Sequence, residues 1–421
     1  MPHSSTKGDV AIKLKQLLEL QAKEEDFSDV KESAVVQIVD LLMEEACQGH
    51  ASDIHIDPER KYTVVRFRVD GVMHDVFMLP KKIHEFIVTR LKILARLRTD
   101  EHLAPQDGKL QYEFGEKLID IRVSTIPTVK GEDVVMRLLT DDSHFGLENL
   151  GYSKNDYEKI MKYAKKPWGM ILATGPVGSG KTTSLYAILK ILNKREVNIV
   201  TIEDPVEYYI EGITQIQVNP RAGLTFAEGL RSIVRQDPNM IMVGEIRDDE
   251  TADIAVNAAM TGHLVLSTVH TNNAATTLPR FLEMGLKSFL IASTVNVVMG
   301  QRLVRVICKE CKVDYEEPTE RLLKQLPHDV VELGAKGQAQ IRLFRGQGCE
   351  TCKGMGYQGR IGIYEVLEIT DEIRELIMQG ADADTIQAKA ISQGMTTMLD
   401  DAFSKAMAGT TTIEEILRVI K

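Results

Sequence analysis

Residues 175–182, Gly175-Pro176-Val177-Gly178-Ser179-Gly180-Lys181-Thr182, fit the pattern G-x-x-x-x-G-K-[ST]. An apolar run, Met170–Thr174, precedes them and reads as a buried strand. Behind them Thr183–Leu192 carries apolar residues at helical spacing. In such a loop the glycines let backbone N–H groups turn inward around phosphate oxygens, where a Cβ would clash. The helix N-terminus adds partial positive charge. Lys181 then reaches the β- and γ-phosphates, and Thr182 offers its hydroxyl to Mg²⁺. The expected nucleotide cradle is Gly175 to Thr183.

Three further stretches could act on a bound nucleotide. Ile241-Met-Val-Gly-Glu245 is an apolar strand pattern closed by a carboxylate that can hold the metal shell or polarise water. Thr201-Ile-Glu203-Asp204-Pro-Val-Glu207 places paired carboxylates directly after another strand, able to orient Mg²⁺-bound water and accept its proton. Both Glu203 and Glu245 stand as the base. Thr261-Gly-His263-Leu-Val-Leu-Ser-Thr-Val-His270 brackets a core strand with two histidines, each suited to a γ-phosphate contact, a subunit contact or a purely structural role.

The cysteines form a separate set. Four of the five fall in Cys308-Lys-Glu-Cys311 and Cys349-Glu-Thr-Cys352, with 37 residues between the pairs. Two C-x2-C knuckles supply four thiolates for tetrahedral Zn²⁺ in a closed structural site. The glycines at 346, 348, 354, 356 and 359 suit tight knuckles. Cys47 lies in an amphipathic helix pattern and reads as core packing.

These residues need a large scaffold, and 421 residues supply two or three domains. Hydrophobic content of 43% and charged content of 27% are those of a globular chain. A net charge of −10 and a pI near 5.6 argue against a nucleic-acid protein with a broad basic face, and leave room for a local basic patch. No apolar run approaches the roughly 18 residues of a membrane span, and the start lacks the apolar core of a signal peptide. A cytoplasmic protein with at most peripheral membrane attachment is expected.

Taken in order, residues 1–30 read as a polar tail with a short helix around Ile12–Leu20. Residues 31–140 read as an α+β domain. It has an amphipathic helix from Glu32 to Gly49, strands at Tyr62–Val69 with a hairpin at Asp70-Gly71, and a helix from Ile83 to Leu97. Strand and turn signals follow in Gln106-Asp-Gly-Lys-Leu, Lys117–Ser124 and Asp133–Leu139. Residues 141–150 read as a linker. From 151 to 421, helices alternate with apolar strands at Gly169–Ala173, Asn198–Ile202, Met240–Val243 and His263–Thr268, the parallel α/β signature. A cysteine- and glycine-rich subdomain at 303–360 interrupts it, and the chain turns helical after Tyr364.

The order of these motifs resembles the ATPases of type II secretion and type IV pilus assembly, with a Walker A loop (GPVGSGKT), an Asp box (TIEDPVEY), a degenerate Walker B (IMVGEIRD) and a His box (TGHLVLSTVHT). The likeness extends upstream to Ala51-Ser-Asp-Ile-His-Ile-Asp-Pro58 and Arg122-Val-Ser-Thr-Ile-Pro127, and covers about residues 35–421. It implies a RecA-like P-loop domain preceded by a smaller PAS-like α+β domain, with ATP, Mg²⁺ and Zn²⁺ as cofactors. It further implies a homo-hexameric motor acting through an inner-membrane platform protein on an assembling pilus or pseudopilus, with a retraction motor or a RecA-type translocase as alternatives. The cysteine knuckles favour assembly over retraction. By the same resemblance Glu245 is the catalytic glutamate, Glu203 and Glu207 belong to the Asp box, and His263 and His270 to the His box. Arg122 and Arg137 are implied as arginine fingers. Both alternate with apolar residues on expected strands, which gives them one polar face. Family members that dock to a platform usually carry a folded domain ahead of the Ala-Ser-Asp-Ile-His motif. Here about 30 polar residues precede this region, so docking by that route is not expected.

Overall fold

The computed structural model describes residues 32–139, 146–335 and 337–420. The polar tail with its helix at Ile12–Leu20, and residues 141–145 of the expected linker, lie outside the described residues. The chain divides into two compact units, Met1–Asp142 and Ser143–Lys421.

In the first unit, helix α1 (Glu32–Gln48) buries Val35, Ile38, Val39, Leu42, Met43 and Ala46. Their three- and four-residue spacing makes one apolar face. Cys47 is buried on the same helix, and burial pushes its thiol up to about 11, as suits a packing residue. Strands β1 (Ala51–Pro58), β2 (Tyr62–Val69), β3 (Val72–Pro80), β4 (Gln106–Phe114), β5 (Lys117–Thr128) and β6 (Gly131–Leu139) form one sheet in the order β3-β2-β1-β6-β5-β4. All its pairs are antiparallel. Asp70 at φ 50 and Gly71 at φ 82 turn β2 into β3, as an Asp-Gly hairpin requires. Asp107-Gly108, by contrast, lies inside β4. A Cβ at Gly108 would fall 2.6 Å from the Ala95 carbonyl oxygen, so close backbone approach selects that glycine. Helix α2 (His84–Leu94) stops three residues before the expected Leu97, and Arg96 just beyond it sits at φ 57.

The second unit is built on seven strands. After α3 (Lys154–Ala164) come β7 (Gly169–Thr174), α4 (Lys181–Leu192), β8 (Ile199–Glu203), β9 (Thr214–Gln217), α5 (Phe226–Ile233), β10 (Met240–Val243), α6 (Asp249–Met260), β11 (Leu264–Val269) and β12 (Val295–Ile307). A two-stranded sheet of β13 (Lys312–Pro318) and β14 (Gln340–Gly346) follows, and β15 (Tyr357–Glu368) returns to the main sheet. Its order is β15-β12-β7-β11-β10-β8-β9, parallel throughout except for the β12–β15 pair. Strands β7, β8 and β11 are buried along their whole length, as in a parallel sheet covered on both faces. The fold is therefore mixed α/β with a parallel-rich sheet. Three strands of this sheet escaped the sequence reading. β9 is a short, polar edge strand, and β12 and β15 carry Gln301, Arg302 and Glu365 inside their apolar runs, which blurs the pattern. Tyr364 lies within β15, and the C-terminal helices begin at Asp371, once that strand has ended at Glu368.

The C-terminal helices include α7 (Met398–Met407) and α8 (Ile413–Ile420). Glu415 on α8 is buried, and its Oε1 accepts from Arg305 at 2.6 Å and from Arg418 Nε at 3.0 Å. Its Oε2 accepts from the Arg305 backbone N–H at 3.0 Å. Burial by itself would raise this carboxyl; the two guanidiniums and the Arg305 N–H outweigh it and hold it at about 2. Because the folded value lies below the ordinary value of 4.5, the stabilisation is complete above that pH and disappears as pH falls towards 2. Glu415→Ala, which strands two arginines, is expected to cost about 3–5 kcal/mol at pH 7 in chemical denaturation. The deficit relative to the parent should shrink as the pH is lowered from 5 to 3.

Candidate functional site

β7 delivers the glycine loop and α4 begins at its end, with Gly180 at φ 86 in the left-handed conformation ahead of Lys181. Gly175 sits at φ 143, and a Cβ there would lie 2.3 Å from the Gln301 carbonyl oxygen, so only glycine passes between the loop and β12. Lys181 is buried, and its Nζ donates to the carbonyls of Gly175 at 2.8 Å and Pro176 at 3.1 Å. Burial pushes its pKa down to about 8, opposed by the nearby Glu245 carboxylate. Ser179 Oγ is buried with no hydrogen-bond partner. A cationic Nζ resting on loop carbonyls and a spare hydroxyl fit an anionic phosphate as the missing partner.

Glu245 follows β10, and His270 follows β11. His270 Nε2 lies 3.1 Å from Glu245 Oε2, and Arg247 Nε lies 2.6 Å from the same oxygen. Thr271, next to His270, is tied to the tip of β7. Thr174 Oγ1 donates to the Thr271 carbonyl at 3.0 Å, and the Thr271 N–H donates to Thr174 Oγ1 at 3.2 Å. Lys181, Glu245 and His270 thus gather at the carboxyl ends of β7, β10 and β11, where open α/β sheets place their ligands.

The other carboxylates stand apart. Glu203 ends β8, two strands further from β7 than β11 is, roughly 14 Å from β7 at the usual interstrand spacing. Its side chain is buried and accepts three hydrogen bonds: the Tyr186 hydroxyl donates to Oε2, and Thr201 Oγ1 at 2.5 Å and Gln215 Nε2 at 3.4 Å donate to Oε1. Burial raises its pKa, and the nearby Glu207 charge adds to this. Glu207 itself is exposed on the loop that follows. His263 does not join the cluster. It precedes β11 at the opposite end of the sheet, its carbonyl accepts from Gly169 N–H at 3.1 Å, and its Nδ1 lies 2.9 Å from the Ala258 carbonyl. Within this chain it ties the end of α6 to the sheet, because a six-residue strand separates it from His270.

In the first unit, the register of β5 and β6 sets Arg122 directly opposite Arg137, on one face. Arg137 Nε donates to Asp53 Oδ1 at 3.0 Å, and Arg68 Nε lies 3.5 Å from Asp53 Oδ2.

The four cysteines converge. Cys308 and Cys311 lie between β12 and β13, and Cys349 and Cys352 between β14 and β15. All four Sγ atoms lie within 4.8 Å of one another, and none is in a disulfide. Three of the separations are 3.8, 3.8 and 3.7 Å, close to the ~3.8 Å edge of a tetrahedron with ~2.3 Å metal–sulfur bonds. Backbone N–H groups point at the sulfurs, from Gly348 to Cys311 at 3.3 Å and from Cys349 and Gly356 to Cys352 at 3.1 and 3.2 Å. Such donors favour thiolates, and the cluster could hold a metal ion.

Compared with known proteins, residues 28–418 match the family described as Type II/IV secretion system protein. The chain belongs to this family. It is 44% identical to the type IV pilus assembly ATPase PilB of Pseudomonas aeruginosa over 95% of its own length and 70% of that protein. To the type II secretion system ATPase E of Vibrio cholerae it is 43% identical, over 96% and 78%. In fold it is similar to the Legionella pneumophila ATPase DotB (TM-score 0.66, 20% identity, 91% and 95% covered). A similar match is the pilus retraction motor PilT with bound ADP (TM-score 0.60, 23% identity, 91% and 96% covered). This secretion-family chain is an ATPase, and no helix among its described residues is long and apolar enough to cross a membrane.

Two residues that hold the motif residues in place escaped the sequence reading. Tyr186, on the buried face of α4, occupies Glu203 and so removes that carboxylate from solvent. Gln301, on β12, donates from Nε2 to the Ser179 carbonyl at 2.8 Å. Its signal was one of two buried amides, with Asn296, in the largely apolar run Val295–Val304, visible only once that run is known to be a central strand.

Proposed function

We propose that this chain is the ATP-driven motor of type IV pilus or type II pseudopilus assembly, acting as a homo-hexamer through an inner-membrane platform protein and so held peripherally at that membrane. What carries the reading is Glu245, poised by His270 and Arg247 beside the Lys181 loop, in a chain this similar to an assembly ATPase and a secretion ATPase. The two units would be the PAS-like and RecA-like domains of such a motor. Lys181 and the loop N–H groups hold the triphosphate. Thr182 would offer its hydroxyl to Mg²⁺, which neutralises phosphate charge. Glu245 takes a proton from water as the water oxygen bonds to the γ-phosphorus and the bond to the β,γ-bridging oxygen breaks, giving ADP and phosphate. Arg122 and Arg137 neutralise the charge that develops on the transferring group. The four cysteines would hold one structural Zn²⁺.

The retraction reading has less support: its structural neighbour is 23% identical, a likeness of fold, whereas the assembly relative is 44% identical. The test is made in the source organism. Deleting the gene should abolish surface pili or secretion, the parental gene should restore them, and Lys181→Ala should not. The purified chain should contain about one zinc per protomer. A deletion strain with more pili than its parent would reverse the direction of the motor.

A further inference from the structure

Gln301 is buried on β12, flush against the phosphate loop. Its Nε2 donates to the Ser179 carbonyl, while its own Oε1 and the Ser179 hydroxyl are both buried with no hydrogen-bond partner. β12 could have placed an apolar residue there at no such cost, because the neighbouring Val297, Val298, Met299 and Val304 are apolar and buried. A buried amide left half-satisfied costs free energy, so its donor has a task.

The peptide geometry identifies the task. A trans peptide is planar, with its C=O and N–H pointing in opposite directions. Pinning the Ser179 carbonyl towards β12 therefore aims the Gly180 N–H the other way, into the concave side of the loop. Gly180 is at φ 86, and its missing side chain is what lets Gln301 approach: a Cβ there would sit 3.3 Å from Gln301 Nε2. The Gln301 carbonyl backs the loop's other end at Gly175. From this placement we infer that Gln301 is a positioning residue for nucleotide binding, acting through the Ser179–Gly180 peptide to aim one N–H at a phosphate oxygen. The inference rests on reading residues 175–182 as the phosphate cradle.

Purified full-length variants Gln301→Glu and Gln301→Met test it; both keep the length of the side chain and remove the donor. Each is expected to raise the KM for ATP and the Kd of a fluorescent ATP analogue about tenfold, the value of one hydrogen bond near 1.4 kcal/mol. The kcat at saturating ATP should stay within about threefold of the parent. An effect confined to the glutamate would be charge repulsion and would overturn the inference. So would variants that melt lower yet bind nucleotide with parental affinity. Lys181→Ala, measured alongside, separates the two levels. If it too leaves binding intact, the cradle reading itself fails; if it abolishes binding while both Gln301 variants bind normally, only the role of Gln301 fails.

Discussion

Arg137→Ala and Arg122→Ala are each expected to lower kcat for ATP hydrolysis by about 10³-fold or more, the scale of a lost arginine finger, with ATP binding nearly unchanged. Two cations directly opposite on one face of a sheet repel each other. Asp53 supplies a partial counter-charge, holding Arg137 at 3.0 Å within its own unit. A guanidinium held by a single carboxylate oxygen keeps free donors in its planar fork, which phosphate oxygens match in geometry. Lysine would preserve charge but not the fork, so Arg137→Lys should recover little of the lost rate. Steady-state phosphate release, with fluorescent-nucleotide titration as the control, makes the measurement. Turnover of both alanine variants within threefold of the parent would remove the arginines from the chemistry and leave them as surface ion pairs.

Glu245→Gln should lower kcat by about 10²–10⁴-fold, the range for a positioned general base, while ATP binding persists and the protein becomes trapped with nucleotide bound. Glutamine keeps the shape and cannot take the proton. Glu203→Gln separates the two carboxylates that the motifs leave equivalent. Glu203 is buried and already accepts from Tyr186, Thr201 and Gln215, at the end of a strand three places from β7. Its replacement should change kcat by less than about tenfold and act mainly on stability. A larger loss from Glu203→Gln than from Glu245→Gln would exchange their roles. The contrast is chemical as much as positional. Glu245 is half-buried, with His270 Nε2 and Arg247 Nε beside its Oε2, whereas burial raises the Glu203 carboxyl above the usual range.

What the sequence determined by itself was everything carried by local spacing. The Walker A glycines, the apolar strands on either side of them, the Asp70-Gly71 hairpin and the two cysteine knuckles need only a few consecutive residues to be recognised, because φ preference, strand burial and ligand pairing act over that range. Tertiary structure alone decided which of these stretches meet. The motifs name Glu203, Glu245, His263 and His270 with equal weight. The strand order β7-β11-β10-β8 then puts Glu245 and His270 at the loop's end of the sheet, and the length of β11 carries His263 to the other. The cysteine pairs are 37 residues apart in sequence, and their sulfurs close to 3.8 Å only because β12 and β15 run antiparallel and bring both knuckles to one end. Gln301 lies furthest from the reach of sequence. Its 2.8 Å contact with the loop joins residues 122 positions apart, and no local pattern encodes a hydrogen bond whose partners become neighbours only when the sheet has formed.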